Sequence, residues 1–304
     1  MTSEQVKQIL SAAQESGCTA LENEPMSRHT TFRIGGPARL FLKVGTEQAL
    51  CRVTALCRRL EVCFFVLGSG SNLLVADKGF DGIVLHLAPP DFWQCSREEN
   101  VIAAGAAMRM AALTDFAREQ GLSGLEFAHG IPGSVGGAAF MNAGAYGGEM
   151  KQVVLSCRAL LQDGTVQTFA GESLQFGYRT SVFAENGGIV LSARFALKPD
   201  DPEAVEERMR DYLNRRRSKQ PLEYPSAGSV FKRPEGYFAG ALIEQCGLKG
   251  VSVGGAQVSE KHAGFIVNKG GATCADVCAL VEKIQQTVLR ETGVLLECEI
   301  RRLG

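Results

Sequence analysis

The stretch that decides the fold runs from Ala128 to Gly148 and reads AHGIPGSVGGAAFMNAGAYGG. It holds seven glycines in twenty-one residues, with Phe140, Met141 and Tyr146 spaced among them. A loop this long in a compact domain is usually functional or disordered, and the interleaved apolar side chains argue against disorder. Because glycine lets the backbone approach a bulky group closely, the stretch favours a binding loop for a flat or phosphorylated ligand over a packing loop.

The composition of the whole chain narrows the class of protein. Glycine supplies 35 of 304 residues, about 11.5% against a usual ~7%. The formal net charge of −1 argues against a nucleic-acid-binding protein, which normally carries a basic excess. Since there is no apolar window of 18 residues and no signal-peptide core at the N-terminus, we expect a cytoplasmic protein that does not enter a membrane.

The ten cysteines and four histidines do not form a metal-binding pattern. There is no CxxC pair, and the histidines are scattered along the chain. Close ligand pairs are typical of zinc sites, so we expect no metal and free thiols that pack as small apolar groups.

Hydrophobic periodicity and turn residues predict an α+β fold with mixed sheets. A two-residue hairpin turn is predicted at Asp163-Gly164, and a domain boundary near residue 200, where a charged, proline-containing segment follows a strand. The predicted helices are 3–16, 46–60, 108–120, 200–217, 238–246 and 273–291. The predicted strands are 38–44, 62–67, 82–87, 154–161, 165–169, 188–197, 264–268 and 294–301.

A second glycine loop, Gly68–Asn72, follows a predicted strand. It lacks the third glycine of a dinucleotide-binding fingerprint, and an apolar run follows it instead of a helix. Its consecutive amides could form a nest for a pyrophosphate. Taken alone, the loop fits a plain turn of small residues better.

Four further segments carry polar side chains that suit chemistry. The predicted last strand places Glu297, Glu299 and Arg301 on one face, where ion pairs on a solvated sheet are the commoner explanation. Ser229 lies in a proline-bounded turn without a hydrolase motif, and Arg179 lies in a turn-like stretch where its planar fork suits a carboxylate. The basic run 215–219 is expected at a helix C-terminus and could also meet a diphosphate.

Nine motifs in this order resemble one family, the UDP-N-acetylenolpyruvoylglucosamine reductases (MurB). They are Arg28–Pro37, Leu67–Leu74, Gly130–Gly137, Asn142–Tyr146, Tyr178–Ser181, Ala227–Lys232, Gln245–Gly250, Val258–Ile266 and Leu296–Ile300. The resemblance covers nearly the whole chain. Only 50 positions separate Arg179 from Ser229, which resembles the shorter branch of the family, without an extra tyrosine-bearing loop.

The resemblance implies a two-lobed FAD-binding unit of the vanillyl-alcohol-oxidase/PCMH type and a C-terminal α+β substrate-binding domain. The expected divisions are 1–82, 83–199 and 200–304. It also implies non-covalent FAD and NADPH as co-substrate. The residues implied to contact FAD are Gly68, Ser69, Gly70, Ser71, Asn72, Leu73, Gly133, Ser134, Val135, Gly136, Asn142, Gly144 and Ala145.

The implied reaction reduces the enolpyruvyl group of a UDP-N-acetylglucosamine ether to UDP-N-acetylmuramate, a peptidoglycan precursor. Reduced flavin gives a hydride to the vinyl carbon, and negative charge develops on the neighbouring carbon and its carboxylate. By motif position, Arg179 and Glu299 stabilise that charge and Ser229 donates the proton. Three residues are implied to bind substrate: Tyr178, Lys219 and Lys232. We expect a monomer.

Two alternatives remain at this stage. A flavin-dependent sugar or alcohol oxidase of the same fold would keep the glycine loops and use oxygen. A non-catalytic nucleotide- or flavin-binding module would bind its ligand tightly without NADPH-driven reduction.

Overall fold

The computed structural model describes all residues from 1 to 304, with eight α-helices and nineteen strands. The helices are α1 (Ser3–Glu15), α2 (Glu47–Arg59), α3 (Met110–Glu119), α4 (Val135–Phe140), α5 (Val182–Asn186), α6 (Pro202–Lys219), α7 (Ala239–Gln245) and α8 (Cys274–Thr292). The first ten strands are β1 (Thr19–Pro25), β2 (Pro37–Val44), β3 (Phe64–Leu67), β4 (Leu73–Val75), β5 (Phe80–Leu87), β6 (Cys95–Glu98), β7 (Val101–Gly105), β8 (Leu122–Ser123), β9 (Gly144–Ala145) and β10 (Gly148–Glu149). The others are β11 (Val154–Leu160), β12 (Val166–Ala170), β13 (Ile189–Ala196), β14 (Lys198–Pro199), β15 (Ser226–Ser229), β16 (Ser252–Val253), β17 (Ala256–Val258), β18 (Phe265–Asn268) and β19 (Arg301–Leu303).

The chain forms two compact units. The first unit comprises Met1–Glu22, Leu40–Ser69 and Gly82–Arg216, and the second comprises Asn23–Arg39, Gly70–Asp81 and Arg217–Gly304. One cluster of buried apolar side chains lies in the first unit and another in the second. The division into three lobes at residues 82 and 199 stays a prediction.

A five-stranded antiparallel sheet is the largest sheet of the first unit, with strand order β12-β11-β13-β7-β6. The predicted hairpin is present, since Leu160 pairs with Val166, but the two-residue turn is wrong: the Leu161 N–H donates to the Thr165 carbonyl, so residues 162–164 form the loop. Gly164 has a φ of +87°, a conformation in which glycine carries no steric cost. The Asp163 carboxylate accepts a hydrogen bond from the Thr165 backbone N–H at 2.9 Å, so the turn closes on itself.

A second sheet has strand order β1-β2-β5-β3, with β3 parallel to β5. Helix α2 lies between β2 and β3 in the chain and begins at a cap, because the Thr46 hydroxyl accepts a hydrogen bond from the Ala49 N–H. It buries Leu50, Val53 and Cys57, the face that periodicity predicts.

The second unit is built on the antiparallel sheet β15-β18-β17-β16 and the long helix α8. A capping box between Thr273 and Asp276 starts α8, and Gly293 ends it at a φ of +74°. In addition, β4 pairs in parallel with β19, so residues 73–75 and residues 301–303 form a two-stranded sheet.

Two predictions from pattern are corrected. The stretch 128–148 is not structureless, because it contains α4 and the short pair β9 and β10. The predicted strand 294–301 is wrong: a regular strand is present only at Arg301–Leu303, with one isolated bridge at Cys298. Between these points the backbone partner of the segment changes from residues 230–232 to Asn72 and β4. Cys298 is exposed, whereas the predicted strand would bury it.

Candidate active site

The loop after β3 presents a row of backbone amides. The N–H groups of residues 69–72 donate no hydrogen bond to another group of the chain. Gly70 has a φ of +62°, and a Cβ there would lie 2.1 Å from the His29 carbonyl oxygen, so only glycine fits. Consecutive unpaired amides with one left-handed residue form a concavity for an anion. The local structure therefore favours the anion nest over the plain turn.

The two glycine loops meet in the first unit at Gly68 and Ser134. A Cβ on Gly68 would lie 2.6 Å from the Ser134 Oγ, which itself accepts a hydrogen bond from the Gly137 N–H and caps α4. Val135 is completely buried and Gly136 packs against Ala106, where a Cβ would come within 2.9 Å. Because the N–H groups of residues 133, 135, 136 and 137 all donate within the chain, this stretch is held rigidly, and its small residues let a ligand come close to the backbone.

Asn142 shapes the next part of the loop from the inside. Its side-chain amide donates to the Gly177 carbonyl at 2.9 Å and to the Glu149 carboxylate at 3.1 Å, and its oxygen accepts from the Lys151 N–H. Asn142 is buried and has a φ of +42°. Its side chain is thus used within the chain and holds the 142–149 loop against the turn at Gly177.

Arg179 is presented by that same turn. Gly177 and Thr180 exchange backbone hydrogen bonds at 3.1 and 3.4 Å, and Arg179 between them has a φ of +57°. Its Nη2 donates to the Gly144 carbonyl at 3.3 Å, and its guanidinium lies 5.4 Å from the ring centre of Tyr178. Arg179 and Tyr178 are therefore brought together with Gly144, one of the residues that the sequence assigns to the cofactor.

Arg216 belongs to the basic run 215–219 that could meet a diphosphate, but it is not among the individual residues that the sequence predicts for the site. A Cβ on Gly130 would lie 3.0 Å from the Arg216 Cδ and 3.2 Å from its Nε, so the side chain lies directly on the glycine loop. The Nε is buried and has no hydrogen-bond partner, and burial lowers the pKa of the guanidinium while a hydrogen bond with Tyr146 opposes this. The sequence does not distinguish Arg216 from its neighbours in that run, because the helix dipole favours a cation at each of these positions.

In the second unit, Ser229 lies at the end of β15. A bulge separates its pairing with Phe265 from the pairing of Ser226 with Val267, and Gly228 between them has a φ of +79°. The Ser229 hydroxyl is half-buried and donates to the Phe231 carbonyl at 3.3 Å, a long distance for a hydroxyl donor. This weak bond leaves the proton of the hydroxyl easily redirected to a better acceptor.

Glu299 lies on the chain segment beside Ser229. The Glu299 N–H donates to the Val230 carbonyl at 2.8 Å, and the Asn72 side-chain amide donates to the Glu299 carbonyl at 3.2 Å. Hydrogen bonds to the backbone of Glu299 thus hold it beside the Asn72 side chain and beside Val230, the residue that follows Ser229. Of the three predicted catalytic residues, Ser229 and Glu299 share the second unit, and Arg179 belongs to the first.

The two lysines expected to contact substrate differ in their surroundings. Lys232 forms an ion pair with Glu297 at 3.1 Å, and its backbone N–H donates to the Glu297 carbonyl. Lys219 is exposed at the end of α6 and forms no ion pair. Both lie in the second unit, and their substrate contacts stay predictions.

The residues present fit FAD. The nest at residues 69–72 suits a diphosphate, and the buried Arg216 Nε needs an acceptor that the chain does not supply. Gly68, Gly70 and Gly130 each leave no room for a side chain, which keeps the backbone open. Each of these features by itself suits the phosphate groups of such a cofactor.

Comparison with known proteins defines the class. A family model for an FAD binding domain matches residues 38–170, and a model for the C-terminal domain of UDP-N-acetylenolpyruvoylglucosamine reductase matches residues 220–303. The chain is therefore an FAD-dependent oxidoreductase, and the predicted α+β fold with an FAD-binding unit and a separate C-terminal domain is confirmed.

Relatives along nearly the full length identify the family. A UDP-N-acetylenolpyruvoylglucosamine reductase from Agathobacter rectalis is 49% identical over 298 residues, covering 93% of this chain and 94% of its own. One from Clostridium perfringens is 45% identical over 282 residues, covering 93% and 92%. The crystal structure of the MurB enzyme from Thermus caldophilus matches with a TM-score of 0.80 at 37% identity, covering 94% of this chain and 99% of that one. The chain belongs to the UDP-N-acetylenolpyruvoylglucosamine reductase family.

A more distant structure supports the fold, and the helices of the chain bear on whether it could span a membrane. The structure of BBE-like 1 from Physcomitrella patens shares the fold, with a TM-score of 0.50 at 16% identity over 63% of this chain and 44% of that chain. None of the helices combines the length and apolar character needed to cross a membrane.

Proposed function

We propose that this protein uses NADPH to reduce the enolpyruvyl ether of UDP-N-acetylglucosamine to UDP-N-acetylmuramate, a step in peptidoglycan precursor synthesis. The observation that carries the proposal is the pairing of the segments that bear Ser229 and Glu299, through the hydrogen bond from Glu299 N–H to the Val230 carbonyl. An acid and a proton donor on adjoining segments match the needs of this reduction, and the names of the full-length relatives agree with it.

Bound FAD supplies the hydride for such a reduction. Hydride addition to the terminal vinyl carbon leaves an enolate on the adjacent carbon and its carboxylate, so the protein must stabilise charge and deliver one proton. The Ser229 hydroxyl is an acid weak enough to protonate only a strongly basic carbon, and its bond to the Phe231 carbonyl is long enough to be given up.

Arg179 and Glu299 are the proposed stabilising pair. The guanidinium of Arg179 is a fork that suits a carboxylate, and its turn fixes it through the Gly144 carbonyl. Glu299 helps only as the neutral acid or by orienting another donor, because a carboxylate would repel the enolate. Its backbone is held from both sides, by Val230 and by Asn72, which fixes the direction of the side chain.

A spectroscopic titration without oxygen tests the cofactor, the donor and the acceptor separately. The purified protein should show a flavin band that bleaches when NADPH is added and returns when the enolpyruvyl sugar nucleotide is added. A protein that cannot take up FAD, or whose bleached flavin is not reoxidised by that substrate, contradicts the proposal. Rapid reoxidation by air with an alcohol or sugar as reductant would point to the oxidase alternative.

The Ser229→Ala variant tests the proton donor. We expect flavin bleaching by NADPH at the wild-type rate and reoxidation by the sugar nucleotide slowed by at least ~100-fold, the usual value of a positioned acid. Because the Ser229 hydroxyl makes one long hydrogen bond, its loss should not unfold the strand. Equal slowing of both half-reactions would remove Ser229 from this role. A monomeric, cytoplasmic enzyme remains part of the proposal, and sedimentation analysis tests the oligomeric state.

A further inference from the structure

Two consecutive aromatic side chains of the second unit stand at the surface just before α7. Tyr237 is 49% exposed and Phe238 is 61% exposed. A single exposed apolar residue is ordinary, but two neighbouring aromatic rings form a patch of the kind that marks a binding surface.

The patch is held in one arrangement by its own turn. The Tyr237 N–H donates to the Pro234 carbonyl at 3.2 Å, and the Arg233 Nε donates to the Tyr237 carbonyl at 3.3 Å. The Arg233 guanidinium then lies 3.9 Å from the centre of the Phe238 ring. A cation on an aromatic ring fixes the ring plane and places positive charge beside it.

The patch lies close to the proposed proton donor. A Cβ on Gly240, two residues after Phe238, would lie 3.3 Å from both the Gly264 nitrogen and the His262 Cε1. A Cβ on Gly264 would in turn lie 3.4 Å from the Ser229 Oγ. Gly240, Gly264 and the edge of the His262 ring therefore lie between the first turn of α7 and the Ser229 hydroxyl.

We infer that Tyr237, Phe238 and Arg233 form a stacking platform for the base of a nucleoside diphosphate that occupies the Ser229 site. The platform offers a flat aromatic face and a guanidinium, the two groups on which nucleobases stack, and Arg233 adds a charge suited to the phosphates. The inference rests on the proposed function, in which both ligands, the UDP-sugar and NADPH, carry such a base. The platform binds one end of the ligand while the reacting end lies at Ser229.

Titration calorimetry on the FAD-loaded protein tests the platform, with UDP as one probe and 2′,5′-ADP as the other. Phe238→Ala should weaken the binding of the probe whose base stacks there by about tenfold, which corresponds to about 1.4 kcal/mol. Phe238→Trp keeps a larger ring and should bind at least as tightly as wild type. Phe238→Leu keeps apolar area without a π-face and should bind as weakly as the alanine variant.

Leu295→Ala is the matched control, because Leu295 is 62% exposed in the same unit and lies outside the patch. It should bind both probes as wild type does. A loss for UDP alone assigns the platform to the sugar nucleotide, and a loss for 2′,5′-ADP alone assigns it to the dinucleotide. Wild-type affinity of Phe238→Ala for both probes, or of Phe238→Leu for the affected probe, overturns the platform. In that case normal turnover of the wild type with NADPH and the enolpyruvyl substrate would leave the proposed function standing.

Discussion

Arg216→Met should weaken FAD binding but leave the stability of the FAD-free protein nearly unchanged. The Arg216 Nε is buried against Gly130 and has no hydrogen-bond partner, and burial lowers the pKa of its guanidinium. A buried donor left unpaired costs about 1–3 kcal/mol. The chain therefore keeps an unfavourable group at a loop that lies within the stretch matched by the FAD binding domain model.

The expected magnitudes follow from the contacts that the substitution removes. In the FAD-free protein, methionine removes the unpaired donor but also loses the favourable interaction of the guanidinium with Tyr146. These effects offset each other, so we expect the free energy of unfolding to change by less than about 1 kcal/mol. With FAD, the variant loses a charge-assisted hydrogen bond, and the dissociation constant should rise by about 10- to 100-fold.

Two measurements separate a cofactor role from a structural one. Urea unfolding of the FAD-free protein gives the stability, and quenching of flavin fluorescence during titration gives the affinity. Arg217→Met is the matched control, because it removes the same charge from the adjacent, exposed position of α6. If Arg216→Met lowered the stability by 2 kcal/mol or more and left FAD affinity at the wild-type value, Arg216 would be a structural residue and our reasoning would be refuted.

Two further substitutions test other contacts. Gly68→Ala should weaken FAD binding and destabilise the first unit by about 1–3 kcal/mol, because its Cβ would meet the Ser134 Oγ at 2.6 Å. The double variant Gly68→Ala/Ser134→Ala should lose less free energy of unfolding than the sum of the two single variants. Strict additivity in unfolding experiments would disprove the clash. Burial lowers the pKa of His262, the charge of Lys249 lowers it further, and Glu244 opposes both. The unfolded chain therefore takes up a proton at a higher pH than the folded protein, and the free energy of unfolding should fall as the pH drops through about 6.5 and below. The His262→Gln variant should lose less stability than wild type between about pH 7.5 and 5.5, and an identical pH dependence of urea unfolding would contradict this.

Local signals in the sequence were enough for much of the fold. The hairpin at Asp163-Gly164 and the buried face of α2 follow from turn chemistry and periodicity, which act over a few residues. Helix α4 was not predicted because its sequence, Val135–Phe140, contains two glycines, which disfavour a helix. The helix is stabilised instead by the Ser134 cap and by packing against Ala106. The last strand was placed wrongly because its segment changes pairing partner, a long-range event that alternation does not reveal.

The candidate site was predictable as a set of segments but not as an arrangement. Both glycine loops stand out by composition, yet the contact between Gly68 and Ser134 joins residues 66 positions apart and depends on the fold. Arg216 and Phe238 illustrate a different limit. An arginine at a helix end and an aromatic residue before a helix are ordinary in sequence, and only the buried Nε and the exposed ring indicate a ligand.

The pairing that places Glu299 beside Ser229 also bears on the role of Lys232. Two backbone hydrogen bonds, from Glu299 N–H to the Val230 carbonyl and from Lys232 N–H to the Glu297 carbonyl, set the register of the two segments. A slip of one residue would turn Glu299 to the opposite face. The ion pair of Lys232 with Glu297 supports the correct register, but because both side chains are half-exposed or more it contributes no more than about 1 kcal/mol. Lys232 can therefore leave Glu297 for a substrate phosphate or carboxylate at little cost, while the backbone bonds keep Glu299 in place.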